Sequence, residues 1–275
     1  MNLSNSFNSS CILRNKFYFG VYANAIGINT PQNVALCKDG QVLLLKEKQI
    51  VSFNEFLDKI SPCCDFFLKG IEGQCGEQVF HLICKNSKFY MGNLLKTKEE
   101  LLDVLKHGTY ILQERFFQNK EISLIYPKSV NTIRIVTVCK NGEIHLLPPV
   151  LRIGAMGNEV DNYSRGGVIV EVDLKTGALA KYGKRKQGYG ETSDRHPDTG
   201  IPYEGIVIPF WKEIVEQAKY FHKMLFNLHS VGWDVAVGEN GPVFIEGNDN
   251  WEIPLHQMWK GVGTDFDDWF LNAKT

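Results

Sequence analysis

No apolar run in the sequence approaches the ~20 residues of a membrane-spanning helix. The opening MNLSNSFNSS is polar and has no signal-peptide core. Neither sign of charge is in excess: 30 Lys and Arg stand against 31 Asp and Glu, leaving −1. That balance gives no electrostatic case for nucleic acid or for an anionic membrane surface. The seven cysteines are an odd number and contain no C-x-x-C pair. Reduced thiols in a cytosol are expected rather than a disulfide frame or a zinc site. Internal repeats and low-complexity tracts are absent as well. What remains is a cytoplasmic globular protein of 275 residues, long enough for one domain or two closely packed lobes.

The most informative stretch is 233–250, WDVAVGENGPVFIEGNDN. Two apolar runs flank Gly238-Glu239-Asn240-Gly241, which predicts a β-hairpin. With a three-residue loop at Glu239-Asn240-Gly241, Asp234 falls opposite Glu246, and Asn248 shares the face of Glu246. Like charges directly across a strand pair repel, and both flanking runs read as buried. A hard cation with oxygen ligands removes that conflict. Asp234, Glu246 and Asn248 are therefore candidate magnesium ligands. An ordinary hairpin with its polar face in water fits the same spacing, and a one-residue slip would turn Asp234 away.

The remaining pattern is mixed α and β. Residues 1–10 are expected to fray, with a helix from about 13 to 27. A hairpin is expected around Lys38-Asp39-Gly40, then a helix at 53–60 capped by Ser52 and Glu55. The run DFFLK at 65–69 reads as a buried strand leading into Gly70-Ile71-Glu72-Gly73-Gln74-Cys75-Gly76. Such a glycine-spaced loop lets backbone N–H groups approach a ligand, and Lys69 could contact a phosphate. It is not a Walker A loop, and a plain turn is the simpler alternative. Helix 98–107 precedes strand 110–116, where Gln113 and Glu114 mark either a ligand edge or a solvated edge strand. Strand 131–138 turns at Asn141-Gly142 and returns over 143–153. Arg134 and Arg152 inside these strands need anionic partners, either a structural carboxylate or a bound phosphate. Residues 154–167 read as a loop and 181–206 as a long irregular stretch bearing Lys184, Arg185, Lys186, Arg195 and His196. That stretch is either substrate-facing or merely solvated. An amphipathic helix at 209–229 leads to the hairpin, with His222 and His229 read as structural.

In this order the motifs resemble the ATP-grasp superfamily, in the branch of alpha-L-glutamate-ligase-like and sugar-transfer-associated proteins. The resemblance covers about residues 15–254. It implies an α+β fold in which two lobes clasp a nucleotide between antiparallel sheets, divided here as 1–110 and 111–275. Lys16 resembles the family's first phosphate-binding lysine and Lys69 its second, with Gly70, Gly73 and Gly76 in the phosphate lid. Gln113, Glu114, Arg115 and Phe116 resemble the interlobe hinge that reads adenine and ribose. Arg134 resembles the arginine on the transferring phosphate. Asp234, Glu246 and Asn248 match the triad that holds Mg2+ or Mn2+. Two departures stand out: Gly70 follows Lys69 where proline is common, and only about fifteen residues precede Lys16. The chain thus reads as a compact member or a fragment.

The resemblance implies an ATP-dependent carboxylate–amine ligase working through an acyl phosphate, in cell-surface polysaccharide synthesis. Its substrates would be a small carboxylate and an amine, sugar-linked, with Lys69, Arg134 and Arg152 as catalytic candidates. Arg152, Arg165 and the 184–195 loop would hold an anionic acceptor. The alternatives are a kinase that phosphorylates a hydroxyl or amide, and a nucleotide-binding module without turnover. Neither nucleic-acid binding nor membrane insertion is expected, and a homodimer stays open.

Overall fold

The computed structural model describes residues 5–71, 79–188, 190–251 and 255. The chain opens with two helices, α1 (Phe7–Arg14) and α2 (Lys16–Ala25), in place of a frayed start and one helix. Asn15 makes the break. Its Oδ1 accepts from the Phe17 and Tyr18 backbone N–H groups at 3.0 and 3.1 Å, an N-cap that the sequence reading passed over.

The chain divides into two compact units. One comprises residues 15–21 and 31–116, the other 1–14, 22–30 and 117–275. The expected division at 110/111 falls inside a strand, and the first residues do not all go with the N-terminal unit.

The first unit is built on eight antiparallel strands: β1 (Asn33–Lys38), β2 (Gln41–Leu44), β3 (Gln49–Ser52), β4 (Cys64–Gly70), β5 (Val79–Lys85), β6 (Lys88–Met91), β7 (Leu94–Lys96) and β8 (Thr109–Glu114). Their order is β3-β2-β1-β8-β4-β5-β6-β7. Helices α3 (Phe53–Ile60) and α4 (Lys98–Leu105) both start on capping boxes, Ser52 with Glu55 and Thr97 with Glu100. Phe56, Leu57, Leu101 and Leu105 from these helices join Leu68, Leu82, Cys84, Tyr110 and Leu112 in one core. By strand alternation, Asp65, Phe67, Lys69, His81, Ile111 and Gln113 belong to the other face.

In the second unit, α5 (Lys120–Ile125) precedes β9 (Thr132–Lys140), β10 (Glu143–Leu146), β11 (Val150–Ile153), β12 (Val168–Val172), β13 (Leu179–Arg185), β14 (Ser230–Gly238) and β15 (Gly241–Asn248). The order is β13-β12-β11-β9-β14-β15, with β10 also on β9. The expected single return strand is two, because Pro148 and Pro149 interrupt it. Strand β13 runs to Arg185, so the irregular stretch begins only at 186. Helix α6 (Trp211–Met224) is shorter than expected and lies on β9, β10, β14 and β15. Phe221 stacks on Trp233 at 4.5 Å, and Phe244 meets Trp233 edge-on at 5.8 Å. Between them runs a buried polar chain. Trp233 donates to Thr137 Oγ1 at 2.8 Å, and His222 Nδ1 meets the same oxygen at 2.7 Å. His222 is thus structural, as expected.

Among the described residues no helix is long and apolar enough to cross a membrane, which says nothing of a β-barrel. Cys37, Cys64 and Cys84 are buried, while Cys11 and Cys63 are exposed.

Candidate functional site

The hairpin β14–β15 closes with a two-residue turn: Gly238 pairs with Gly241, not through the expected three-residue loop. That register alone would place Ile245 opposite Asp234. A β-bulge between Asp234 and Val235 adds one residue on β15, because Val235 pairs with Phe244 while Asp234 pairs with Glu246. Ile245 is the surplus residue. The bulge restores the expected pairing by a different route, and such bulges re-aim side chains. Asn248 follows on the same face, its Nδ2 3.4 Å from both Glu246 Oε1 and Gly232 O. The three expected ligands therefore converge. Arg14 pins the strand just beyond them, its Nη2 2.5 Å from Asp249 Oδ2.

Asp234 also pairs with Arg134 on β9, which in turn pairs with Val150 on β11. Arg134 Nε and Nη2 donate to the two Asp234 oxygens at 2.5 and 3.1 Å. Arg152 Nη2 donates to Asp234 Oδ2 at 2.9 Å. In this structure both arginines that needed an anionic partner meet the Asp234 carboxylate. Burial pushes the Asp234 carboxyl up, but the charges of Arg134 and Arg152 more than offset it and hold its pKa below the ordinary range. Glu246 lies close enough to act on the same carboxylate.

Asp161 joins this cluster, and the sequence reading missed it. It accepts from the Thr132 N–H at 3.1 Å and from the Thr132 hydroxyl. Arg152 Nε lies 3.4 Å from its Oδ2. Burial raises the Asp161 pKa despite Arg152 and the Thr132 bonds, and Asp234 adds to the rise. Arg152 is itself raised: burial opposes its charge, but Asp161, Asp234 and Glu246 outweigh that. An acidic residue in a loop otherwise rich in Gly and Asn carried no periodic signal.

The donor set suits a hard cation: two carboxylates and an amide oxygen from facing strands. Among the described residues, no three His, Cys, Asp or Glu side chains are grouped to hold a metal ion.

In the other unit, the Lys16 N–H donates to Ile71 O at 3.1 Å. That bond brings the start of α2 to the end of β4, beside Lys69 and Gly70. Gly73 and Gly76 lie outside the described residues. Gln113 is buried and donates to Asn33 Oδ1 at 2.9 Å, so it is not a solvated edge residue. Glu114 is exposed, with its N–H on Gln32 O at 3.0 Å. Arg115 donates to Asp65 Oδ2 at 2.9 Å, and Phe116 is partly buried. Of the basic residues at 184–196, His196 is buried with Nε2 2.7 Å from Gly154 O, and Arg195 pairs with Asp194. Arg165 closes a short 3-10 turn and is exposed.

A family model described as sugar-transfer associated ATP-grasp matches residues 1–265. The chain belongs to this family. No curated protein matches the sequence. Among solved structures, this ATP-grasp chain is similar to N5-carboxyaminoimidazole synthase from Aspergillus clavatus, in complex with ADP and 5-aminoimidazole ribonucleotide. The TM-score is 0.53 at 10% identity, covering 91% of this chain and 48% of that one. It is also similar to D-alanyl-alanine synthetase A from Vibrio cholerae O1 biovar eltor. There the TM-score is 0.50 at 10% identity, covering 90% of this chain and 57% of that one. The likeness establishes the fold, α+β with two antiparallel sheets, as the ATP-grasp motifs implied. The chain spans about half the length of these structures.

Proposed function

We propose that this ATP-grasp protein is an ATP-dependent ligase joining a carboxylate to an amine, with a sugar-linked substrate, in the cytoplasm. One observation carries the reading. Asp234, Glu246 and Asn248 meet on one face of β14–β15, beside two buried arginines. Two carboxyl groups packed together favour a divalent cation, and family membership supplies the nucleotide. The family's description supports the sugar linkage, and cell-surface polysaccharide synthesis is the setting proposed for it.

Asp234, Glu246 and Asn248 would hold Mg2+ or Mn2+. When bound, the ion neutralises charge on the β- and γ-phosphates. Arg134 and Arg152 keep Asp234 ionised at neutral pH and add fixed positive charge to the same face. Lys16, Lys69 and the Gly70–Gly76 loop would contact the phosphates, and Gln113 to Phe116 would take the adenosine. In the reaction the substrate carboxylate oxygen takes the γ-phosphoryl group, releasing ADP. The amine nitrogen then attacks the acyl carbon, the C–O bond to phosphate breaks, and the amine loses a proton. The products are an amide, ADP and phosphate.

The test is purified protein with ATP, magnesium and panels of sugar acids, amino acids and amines. ADP and amide forming together support the ligase. A stable phosphorylated hydroxyl or amide with no amine requirement would identify a kinase instead. Nucleotide binding without any turnover would make it a binding module.

A further inference from the structure

A cavity of about 230 Å³ lies in the second unit, lined by Val168, Arg185, Glu191, Ser193 and Tyr203 among others. None of the cluster around Asp234 lines it. The two are on opposite faces of one sheet. Arg152 pairs with Ile169, and Arg185 pairs with Val168, one residue along. Alternation therefore puts the Arg185 side chain on the face away from Arg152.

Two polar atoms of this lining have no hydrogen-bond partner among the described residues: Arg185 Nη2 and Tyr203 Oη. Tyr203 is 0% exposed. Arg185 is partly anchored, its Nε donating to Gly166 O at 3.2 Å. Neither the buried guanidinium nitrogen nor the buried phenol has a partner within the described protein, which is unfavourable unless something in the cavity supplies one. Both can donate, and both line the same cavity. The charge of Arg185 is close enough to act on the Tyr203 hydroxyl. Gly183 leaves room for the ring, since a Cβ there would lie 2.8 Å from Tyr203 Cε2.

We propose that this cavity binds a small carboxylate, held by Arg185 Nη2 and Tyr203 Oη. Two donors match the two oxygens of a planar monoanion. The surroundings favour a monoanion over phosphate: Glu191 lines the cavity, and Asp194 and Asp198 act on Tyr203 as well. These carboxylates repel a dianion about twice as strongly as a monoanion, and Arg195 offsets only Asp194 among them. The cavity exceeds the roughly 30 Å³ of a single water several-fold, so more than a water fits. The site is separate from the nucleotide chemistry and does not depend on it.

The experiment titrates acetate and, separately, inorganic phosphate into the full chain without nucleotide, reading affinity by NMR and thermal stability. Acetate is expected to bind more tightly than phosphate and to raise Tm. Tyr203→Phe removes a hydroxyl that has no partner, so the free protein should keep its Tm. Acetate affinity should fall about fivefold, the loss of one hydrogen bond of ordinary strength. Arg185→Lys should weaken it further. No acetate binding, equal affinity in wild type and both variants, or a preference for phosphate would overturn the assignment. An ATP-hydrolysis failure would not bear on it.

Discussion

Arg134 and Asp234, one hundred residues apart in sequence, face each other on adjacent strands and are joined by two hydrogen bonds. Their side chains are 7% and 4% exposed. Breaking such a pair leaves a buried charge uncompensated. Asp234→Asn should destabilise the protein by roughly 3–5 kcal/mol, measured by chemical denaturation. Removing both partners together as Arg134→Leu and Asp234→Leu should cost less than the sum of the single changes. Strict additivity would mean the two side chains are not coupled.

Glu246 should behave differently. It is only partly buried and shares Asp234 with two arginines. Glu246→Gln is expected to change stability by less than about 1 kcal/mol. Magnesium-dependent nucleotide affinity should fall at least about tenfold, or about 1.4 kcal/mol. Titration of ATP with and without magnesium reads both. A variant that binds Mg–ATP like wild type would remove Glu246 from the metal site.

The loops and caps show how far sequence reached. Ser52 and Glu55 announced α3 because a capping box is local chemistry. Arg134 and Arg152 announced an anion, because a charge inside an apolar strand requires one. Which anion was not legible, since Asp234 and Asp161 come from distant segments. The hairpin was half-legible. A longer loop without a bulge and a tighter turn with one give the same Asp234–Glu246 pairing, and no local residue preference separates them. Strand β13 was hidden by its charges: Lys181, Lys184 and Arg185 read as part of an irregular stretch, substrate-facing or solvated.

His222 makes stability depend on pH. Burial holds its imidazole down to about 4, despite a hydrogen bond to Leu228 O that works the other way. The unfolded chain takes up a proton near 6.5, the ordinary value, while the folded chain does not until about 4. Stability from this group is therefore full above 6.5 and is lost as pH falls toward 4, by about 3 kcal/mol in total. Denaturation at pH 7 and pH 4.5 should show the loss. His222→Gln should flatten that slope, and an unchanged slope would point to other groups.

Gly232 lies against Trp251 on the Arg134 side of the sheet. A Cβ there would sit 2.6 Å from Trp251 Cβ and 3.6 Å from Arg134 Cδ. Gly232→Ala should cost about 1–3 kcal/mol by overpacking. Trp251 donates to Ser230 Oγ at 3.1 Å, so its displacement should alter tryptophan fluorescence. An unshifted spectrum with wild-type stability would show that the added methyl does not press on Trp251.

The placement of the thiols has a practical consequence. Cys11 and Cys63 are exposed and fall one in each unit, whereas burial drives the Cys37 thiol up to about 12 and contributes most to a similar rise at Cys64. Thiolate is the species that alkylates, so the interior sulfurs should resist maleimide. With Cys75 and Cys139 replaced by serine, a donor–acceptor dye pair would attach at two addresses only. Energy transfer between them would then serve as a molecular ruler, reporting whether added ATP changes the distance between these two positions.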